Sequence, residues 1–331
     1  MKKQLIAMAV ASTVSVAALA DVAISGQLKT NFTHTDWDSA SVNDSDVFKH
    51  EGDIYVKGQS GDTGVVMNFS VGDDTDGGST ASTQTTIEDI YMTTKVGDIS
   101  MKAGQWDNGN NEMRASTRAA GKFEASTSIA GIGVKYFNGN DTDDELTLST
   151  SIGGVNASFK KKVAGEDVSL SGSVQGVNAK YVSLGSDSAN SDKSYVEVST
   201  TLAGVGIKYG KAEADTAVCL NGDTWLGDFE DSSYVCDSNI TNNNAGGAWE
   251  LDKGQDLTGF ELSTNLEGNK LTYRNVTADD ASGADTTYNK VIVTRPLASG
   301  ATFELTYTDV SDDASTQTDY NSLDLELAVK F

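Results

Sequence analysis

One short pattern recurs in this chain with polar groups at a fixed place in it. Gly131-Ile132-Gly133-Val134-Lys135-Tyr136 is echoed by Gly154-Val155-Asn156-Ala157-Ser158-Phe159, by Gly176-Val177-Asn178-Ala179-Lys180-Tyr181 and by Gly204-Val205-Gly206-Ile207-Lys208-Tyr209, at spacings of 23, 22 and 28 residues. Alternate residues of an extended chain point to opposite faces. Lys135, Ser158, Lys180 and Lys208 therefore share one face. Val134, Ala157, Ala179 and Ile207 share the other with Tyr136, Phe159, Tyr181 and Tyr209. Lysines repeated on a wetted wall can guide anions, or neighbouring acids can neutralise them, and both readings stand.

Little else in the chain suggests chemistry. No Ser/His/Asp set, zinc motif or phosphate loop is visible, and no cofactor or metal is expected. His34 and His50 are not at ligand spacing. Asp73-Asp74-Thr75-Asp76-Gly77 looks like the start of a calcium loop but lacks the remaining ligand positions, so it reads as an acidic exposed loop.

The elements that carry these residues read as strands. Val65, Met67, Phe69 and Val71 alternate with Val66, Asn68 and Ser70. Phe123, Ala125, Thr127 and Ile129 alternate with Lys122, Glu124, Ser126 and Ser128. Leu323, Leu325, Leu327, Val329 and Phe331 alternate with Asp324, Glu326, Ala328 and Lys330. The chain has 33 glycines and a single proline, Pro296, as suits paired strands that need every backbone donor.

Tight connections (Gly61-Asp62, Gly97-Asp98, Gly153-Gly154, Leu297 to Gly300) alternate with long polar ones at 35–47, 74–84, 107–120 and 212–255. Short turns on one side and long loops on the other are expected of an outer-membrane barrel. The expected fold is all-β, a transmembrane antiparallel β-barrel. Direct counting gives 18 candidate strands, and a barrel of 16–18 strands encloses an aqueous channel.

The ends and the charge agree with export. Met1-Lys2-Lys3, an apolar run from Leu5 to Leu19, and Ala18-Leu19-Ala20 read as a signal peptide over 1–20, cut between Ala20 and Asp21. A single barrel domain then spans 21–331. Net charge is −24, and loss of Lys2 and Lys3 leaves −26. Nucleic acid needs a basic face and is not an expected partner. Cys219 and Cys236 would meet an oxidising compartment, which points to a disulfide stapling the surface loop 212–255.

The whole of 21–331 resembles the general diffusion porins of Gram-negative outer membranes, as a pattern more than a strict motif. Asp21-Val22-Ala23-Ile24-Ser25-Gly26-Gln27-Leu28 is similar to their first strand, and Asp53-Ile54-Tyr55-Val56-Lys57-Gly58 to their second. Asp89-Ile90-Tyr91, Gly97-Asp98-Ile99 and Ala103-Gly104-Gln105 resemble the hairpin before their third loop, and Phe331 matches their terminal aromatic assembly signal. The resemblance implies a homotrimer of barrels with about 16 strands, fewer than the direct count and given slight preference over it. It implies a lipid and lipopolysaccharide environment, and a third loop folded into the pore.

That loop would be 107–120, with Asp107, Glu112, Arg114 and Arg118. Wall positions that are basic in enterobacterial members hold Gln27, Asp53, Gln105 and Glu124 here. Gln105 shares parity with the apolar Ile99 and Met101 unless a bulge intervenes. The Pro-Glu-Phe-Gly-Gly signature of the family's third loop is absent.

The expected function is passive diffusion of ions and small hydrophilic solutes. Acids of the loops and of the wall (Asp53, Glu124) oppose inward Lys57, Lys102, Lys135, Lys180 and Lys208, and the balance favours weak cation selectivity. A substrate-specific channel of the same fold is a second possibility. A surface-exposed or secreted calcium-binding or adhesion protein is the alternative from another class.

Overall fold

The computed structural model describes residues 21–38, 44–73, 83–107, 118–139, 142–163, 165–186, 192–214, 218–220, 225–226, 249–251, 256–279, 285–298, 300–312 and 319–331. Residues 1–20 lie outside that set, and with them the expected signal peptide. Strands come in chain order as β1 (Asp21–Trp37), β2 (Ser45–Ser60), β3 (Thr63–Asp73), β4 (Thr83–Val96), β5 (Ile99–Asp107), β6 (Arg118–Ile129), β7 (Ile132–Gly139), β8 (Thr142–Ile152), β9 (Val155–Lys162) and β10 (Gly165–Val174). Then follow β11 (Val177–Ser186), β12 (Lys193–Leu202), β13 (Val205–Ala214), β14 (Val218–Leu220), β15 (Trp249–Leu251), β16 (Asp256–Leu266), β17 (Asn269–Asp279), β18 (Asp285–Pro296), β19 (Ala301–Asp312) and β20 (Tyr320–Lys330).

Eighteen of these form one closed antiparallel sheet. Each pairs with its sequence neighbour, and β1 pairs with β20 as well as β2. Only β14 and β15 stand apart, paired with each other at the base of the long connection between β13 and β16. The direct count of 18 holds, and the slight preference for about 16 strands is corrected.

Side-chain polarity is inverted relative to a soluble protein. Apolar residues of the wall point outward and stay exposed, among them Ile24, Leu148, Phe159, Tyr181, Ile207 and Leu327. A belt of this extent on a closed wall suits hydrocarbon and not water. The repeat is seen as expected: Tyr136, Phe159, Tyr181 and Tyr209 are all exposed on the outer face, each the fifth residue of its strand.

The tight connections lie at one end. Ala130-Gly131, Gln175-Gly176, Ala203-Gly204 and Glu267-Gly268 each place two successive residues at positive φ, the geometry of a two-residue hairpin turn that matches strand twist. Ala130, Gln175, Ala203 and Glu267 tolerate that region because glycine follows and no Cβ crowds the turn.

One expectation about the opposite end is corrected. β1 reaches Trp37 and β2 starts at Ser45, pairing Thr35 with Ser45, so the connection expected at 35–47 is shorter. The strands β7 and β9 end at Gly139 and Lys162, and β8 and β10 start at Thr142 and Gly165, so these connections are short as well.

The seam closes at Gly26. Its N–H donates to the Phe331 carbonyl at 2.8 Å, and the Phe331 N–H returns the bond to the Gly26 carbonyl at 2.9 Å. A Cβ on Gly26 would stand 2.6 Å from the Phe331 ring, so glycine here is a steric requirement of the closed wall.

Candidate functional site

The inner wall is the candidate site, and it has two unlike regions. Strands β4 to β10 carry a ladder of ion pairs. Lys135 Nζ lies 3.3 Å from Glu124 and Lys160 Nζ 3.1 Å from Glu145. Asp167 faces Lys160 at 3.9 Å and also pairs with Lys162. Adjacent strands place such groups side by side, because cross-strand neighbours on one face are only about 5 Å apart at Cβ.

Lys102 takes a different partner. Its ammonium lies over the Tyr91 ring at 3.8 Å and over Trp106 at 4.3 Å, an arrangement favoured by the negative ring faces. Trp106 is buried, edge-on to both Tyr91 and Phe137, and its carbonyl accepts from the buried Lys122 ammonium at 2.6 Å. This part of the wall is thus braced by an aromatic group that also carries cations.

From β11 to β20 the upper inner wall is apolar. Val182, Leu184, Tyr195, Ala212, Leu257 and Val276 are buried in one cluster that continues across β18, β19 and β20. Trp225 and Leu226, from the long connection, complete it. Two glycines at directly paired positions, Gly210 on β13 and Gly259 on β16, form their seat. A Cβ on Gly210 would stand 2.6 Å from the Trp225 ring, and one on Gly259 2.7 Å from Leu226 Cδ1.

The Trp225 Nε1–H donates to Tyr195 Oη at 3.0 Å and to Glu197 Oε2 at 2.9 Å, while Tyr195 donates to the same carboxylate at 2.7 Å. Below the seat runs a charged row, with Lys208 3.4 Å from Glu261 and Arg274 2.6 Å from the same carboxylate. Lys208 Nζ also lies 5.0 Å from the Trp225 ring centre. Lys290, Thr308, Ser322 and Asp324 share the inward face farther round and are buried too.

Most of the residues expected on the wall are found on it. Asp53 is buried and accepts a 2.7 Å bond from Gln27 Nε2. Lys57 shares its face of β2 and is exposed. Lys180 stands opposite Glu197 in the register of β11 and β12. For Lys135 and Lys208 the neutralised reading holds, since each has a carboxylate at ion-pair distance.

Gln105 keeps the parity of Ile99 and Met101, paired with the outward Ile90, and so lies off the inward face. Register shifts occur in β3–β4 pairing and in β5–β6 pairing, and the Gln105 amide donates to the Ile87 carbonyl at 3.2 Å and the Glu88 carbonyl at 3.4 Å. It supports a bulged strand instead of lining the wall. Asp107 and Arg118 are backbone neighbours at the ends of β5 and β6, while Glu112 and Arg114, with the body of loop 107–120, lie outside the described residues.

The long connection is corrected as well. It is not wholly a surface loop, because Trp225 and Leu226 lie inside the barrel. Cys219 sits in β14 with its backbone opposite Glu250, and Cys236 lies outside the described residues, as does the disulfide expected between them. Trp225, Tyr195, Glu197, Glu261 and Arg274 escaped the sequence reading. A signal for them exists: Tyr181-Val182 is apolar on both faces of a strand, so something apolar must cover the inner side.

No family model and no curated protein matches this chain. Solved structures match it in fold. OccAB4 of Acinetobacter baumannii is 11% identical with a TM-score of 0.64, over 95% of this chain and 98% of that one. OccK2 (OpdF) of Pseudomonas aeruginosa, solved in complex with glucuronate, is 13% identical with a TM-score of 0.66, over 95% and 98%. OpdK of the same organism, solved with vanillate, is 11% identical with a TM-score of 0.65, over 95% and 99%. At such identity the likeness is one of fold.

Proposed function

We propose that this chain, whose fold is that of outer-membrane channel barrels, is a passive, water-filled channel in the outer membrane of a Gram-negative bacterium. The observation that carries this reading is the inverted polarity of a closed wall: exposed apolar residues face outward on strand after strand, and ion-paired Lys, Glu and Asp face inward. Such a wall is insoluble without lipid and pointless without water inside. The same polarity counts against a secreted calcium-binding or adhesion protein, whose outer surface would be polar. The tight-turn end faces the periplasm and the long-connection end the exterior, where it meets lipopolysaccharide.

Transport needs no chemistry. Inward polar groups replace part of a solute's hydration, and fixed charge decides which ions are enriched. Carboxylates already hold Lys135, Lys160, Lys162 and Lys208, which leaves the acid excess of the chain to set the field. Weak cation selectivity follows. It declines as salt rises, since screening shortens from about 8 Å at physiological salt to about 3 Å at 1 M.

A substrate-selective channel is the second reading. Trp225 and Leu226 inside the barrel favour it by narrowing the lumen, and structures of this fold have been solved with glucuronate and with vanillate. The conducting unit is one chain, because the barrel closes on itself. The homotrimer implied by resemblance to sixteen-stranded porins gains no support from an eighteen-stranded fold.

Purified protein in a planar lipid bilayer tests these statements together. Discrete single-channel steps are expected, with reversal potentials in a potassium chloride gradient showing a small cation preference that fades at high salt. Absence of channels would overturn the reading. Clear anion preference at low salt would overturn the selectivity and point to Lys102 and Lys57 as controlling groups.

A further inference from the structure

Beside the ion-pair ladder, toward the tight-turn end, three adjacent strands carry a patch of inner wall without charge. The register aligns Ser149 of β8, Ser158 of β9 and Ser169 of β10 in one row, and Ser151, Asn156 and Ser171 in the next. These six share parity with the inward Lys160 and Asp167, whereas Leu148, Phe159 and Leu170 are exposed on the outer face. Neighbouring strands are ~4.8 Å apart and same-face residues about 6.8 Å apart along a strand, so the groups form a grid on the scale of a sugar ring.

The grid lines an open recess of about 380 Å³. That volume falls in the usual range of small-molecule sites, roughly 300–1,000 Å³. Gly133 on β7 borders the recess, and a Cβ there would come within 2.6 Å of Ser149 Oγ. The six side chains are also uncommitted: none of them takes part in a hydrogen bond or ion pair with another described residue. Farther along the same strands the inward groups differ, since Glu145, Lys160, Lys162 and Asp167 are bound to one another.

We infer that this hydroxyl grid is a subsite for a neutral polyhydroxylated solute, of which a hexose is the type. The inference rests on the channel reading and names one solute class for it. A hydroxyl both donates and accepts, as does each hydroxyl of a sugar, so the two sets match in any relative orientation. An ion finds no counter-charge in the recess and is passed to the ladder alongside. Exchange of water for sugar hydroxyls is nearly balanced in free energy. Binding is then weak and fast, as passage through a pore requires.

The test uses the full-length protein in a planar bilayer, with D-glucose titrated into potassium chloride, and saturation-transfer NMR of D-glucose with protein refolded in detergent. Wild-type protein is expected to show a saturable fall in conductance and transfer to the sugar. The variant Ser149→Ala/Ser158→Ala/Ser169→Ala is expected to raise the half-saturating concentration at least about fivefold, the loss of one net hydrogen bond. Gly133→Ala, which puts a methyl at the edge of the recess against Ser149 Oγ and removes no hydroxyl, is expected to act in the same direction. Equal half-saturation in wild type and triple variant overturns the subsite, as does absence of saturation in a conducting wild type. A wild type that forms no channels overturns the channel reading itself, and the subsite with it.

Discussion

The two regions of the inner wall obey the same alternation and answer it differently. From β4 to β10 most inward positions outside the Tyr91, Trp106 and Phe137 group are charged or hydroxylated, and several, such as Ser149, Lys135 and Lys160, stay partly exposed. From β11 to β20 the inward positions near the long-connection end are apolar and buried, and two residues of the chain sit on them. A wall meant for water throughout would not carry Tyr195, Leu257 and Val276 facing in. Apolar groups on both faces of one strand mean that each face has a cover, lipid outside and the chain's own Trp225 and Leu226 inside.

That comparison presupposes a closed wall, and the largest expected effect lies at its seam. Deleting Phe331 removes the reciprocal backbone pair with Gly26 and the ring that covers it. Folded, heat-modifiable barrel in the outer membrane should fall sharply while export continues. Normal assembly of the shortened chain would show that the seam does not depend on this residue.

Removing one carboxylate from each region sharpens the contrast. Glu261→Gln leaves Lys208 and Arg274 facing each other on a half-buried row, where the lost carboxylate alone was buried. Breaking a fully buried pair costs roughly 3–5 kcal/mol, and this row should lose part of that. Glu124→Gln strips Lys135 of a partner on a wetted wall, where an ion pair contributes about 0–1 kcal/mol. Denaturant midpoints should therefore separate the two variants, and reversal potentials should move toward anions most clearly for Glu124→Gln. Equal loss of stability would mean that the regions do not differ in solvent access.

Gly210→Ala and Gly259→Ala attack the seat directly. Either Cβ would collide with Trp225 or Leu226, while the backbone conformation asks for no glycine there. Overpacking of this kind costs typically 1–3 kcal/mol and is relieved by moving the inserted segment. Conductance should rise and tryptophan emission shift to longer wavelength. Leu226→Ala should act the same way, through loss of about 2–5 kcal/mol of packing. Unchanged conductance in all three would show that the insertion does not limit flow.

The smallest effect is expected for joint replacement of Cys219 and Cys236 by Ser. The barrel is held by its strand ladder, so channel formation should persist even if thiol mapping of the wild type finds the two cysteines joined. Loss of channels on their replacement would give the long connection a larger share in stability than the geometry assigns it.

Much of this was legible in the residues because it is local. Period-two alternation in Leu323 to Phe331, or in Phe123 to Ile129, states both the strand and its lipid face. Gly131, Gly154, Gly176 and Gly204 mark turns because each is the second of two residues at positive φ, a region that favours glycine. Those signals mark the 18 strands of the barrel, whereas the resemblance to sixteen-stranded porins implies fewer. The parity of Gln105 with Ile99 and Met101 was legible as well; the irregular pairing beside it was not, because a bulge leaves no mark in composition.

The sequence by itself determined the strands, their turns, the face each turns to lipid and the lysines that turn inward, since each depends on neighbours one or two residues away. Tertiary structure alone decided which carboxylate neutralises which lysine. Glu261 lies 53 residues from Lys208 along the chain, and only the register of β13 with β16 brings them together. It also decided that Trp225 and Leu226 enter the lumen, because their partners are two glycines and a tyrosine on three different strands, and an apolar pair in a polar loop does not say where its cover lies.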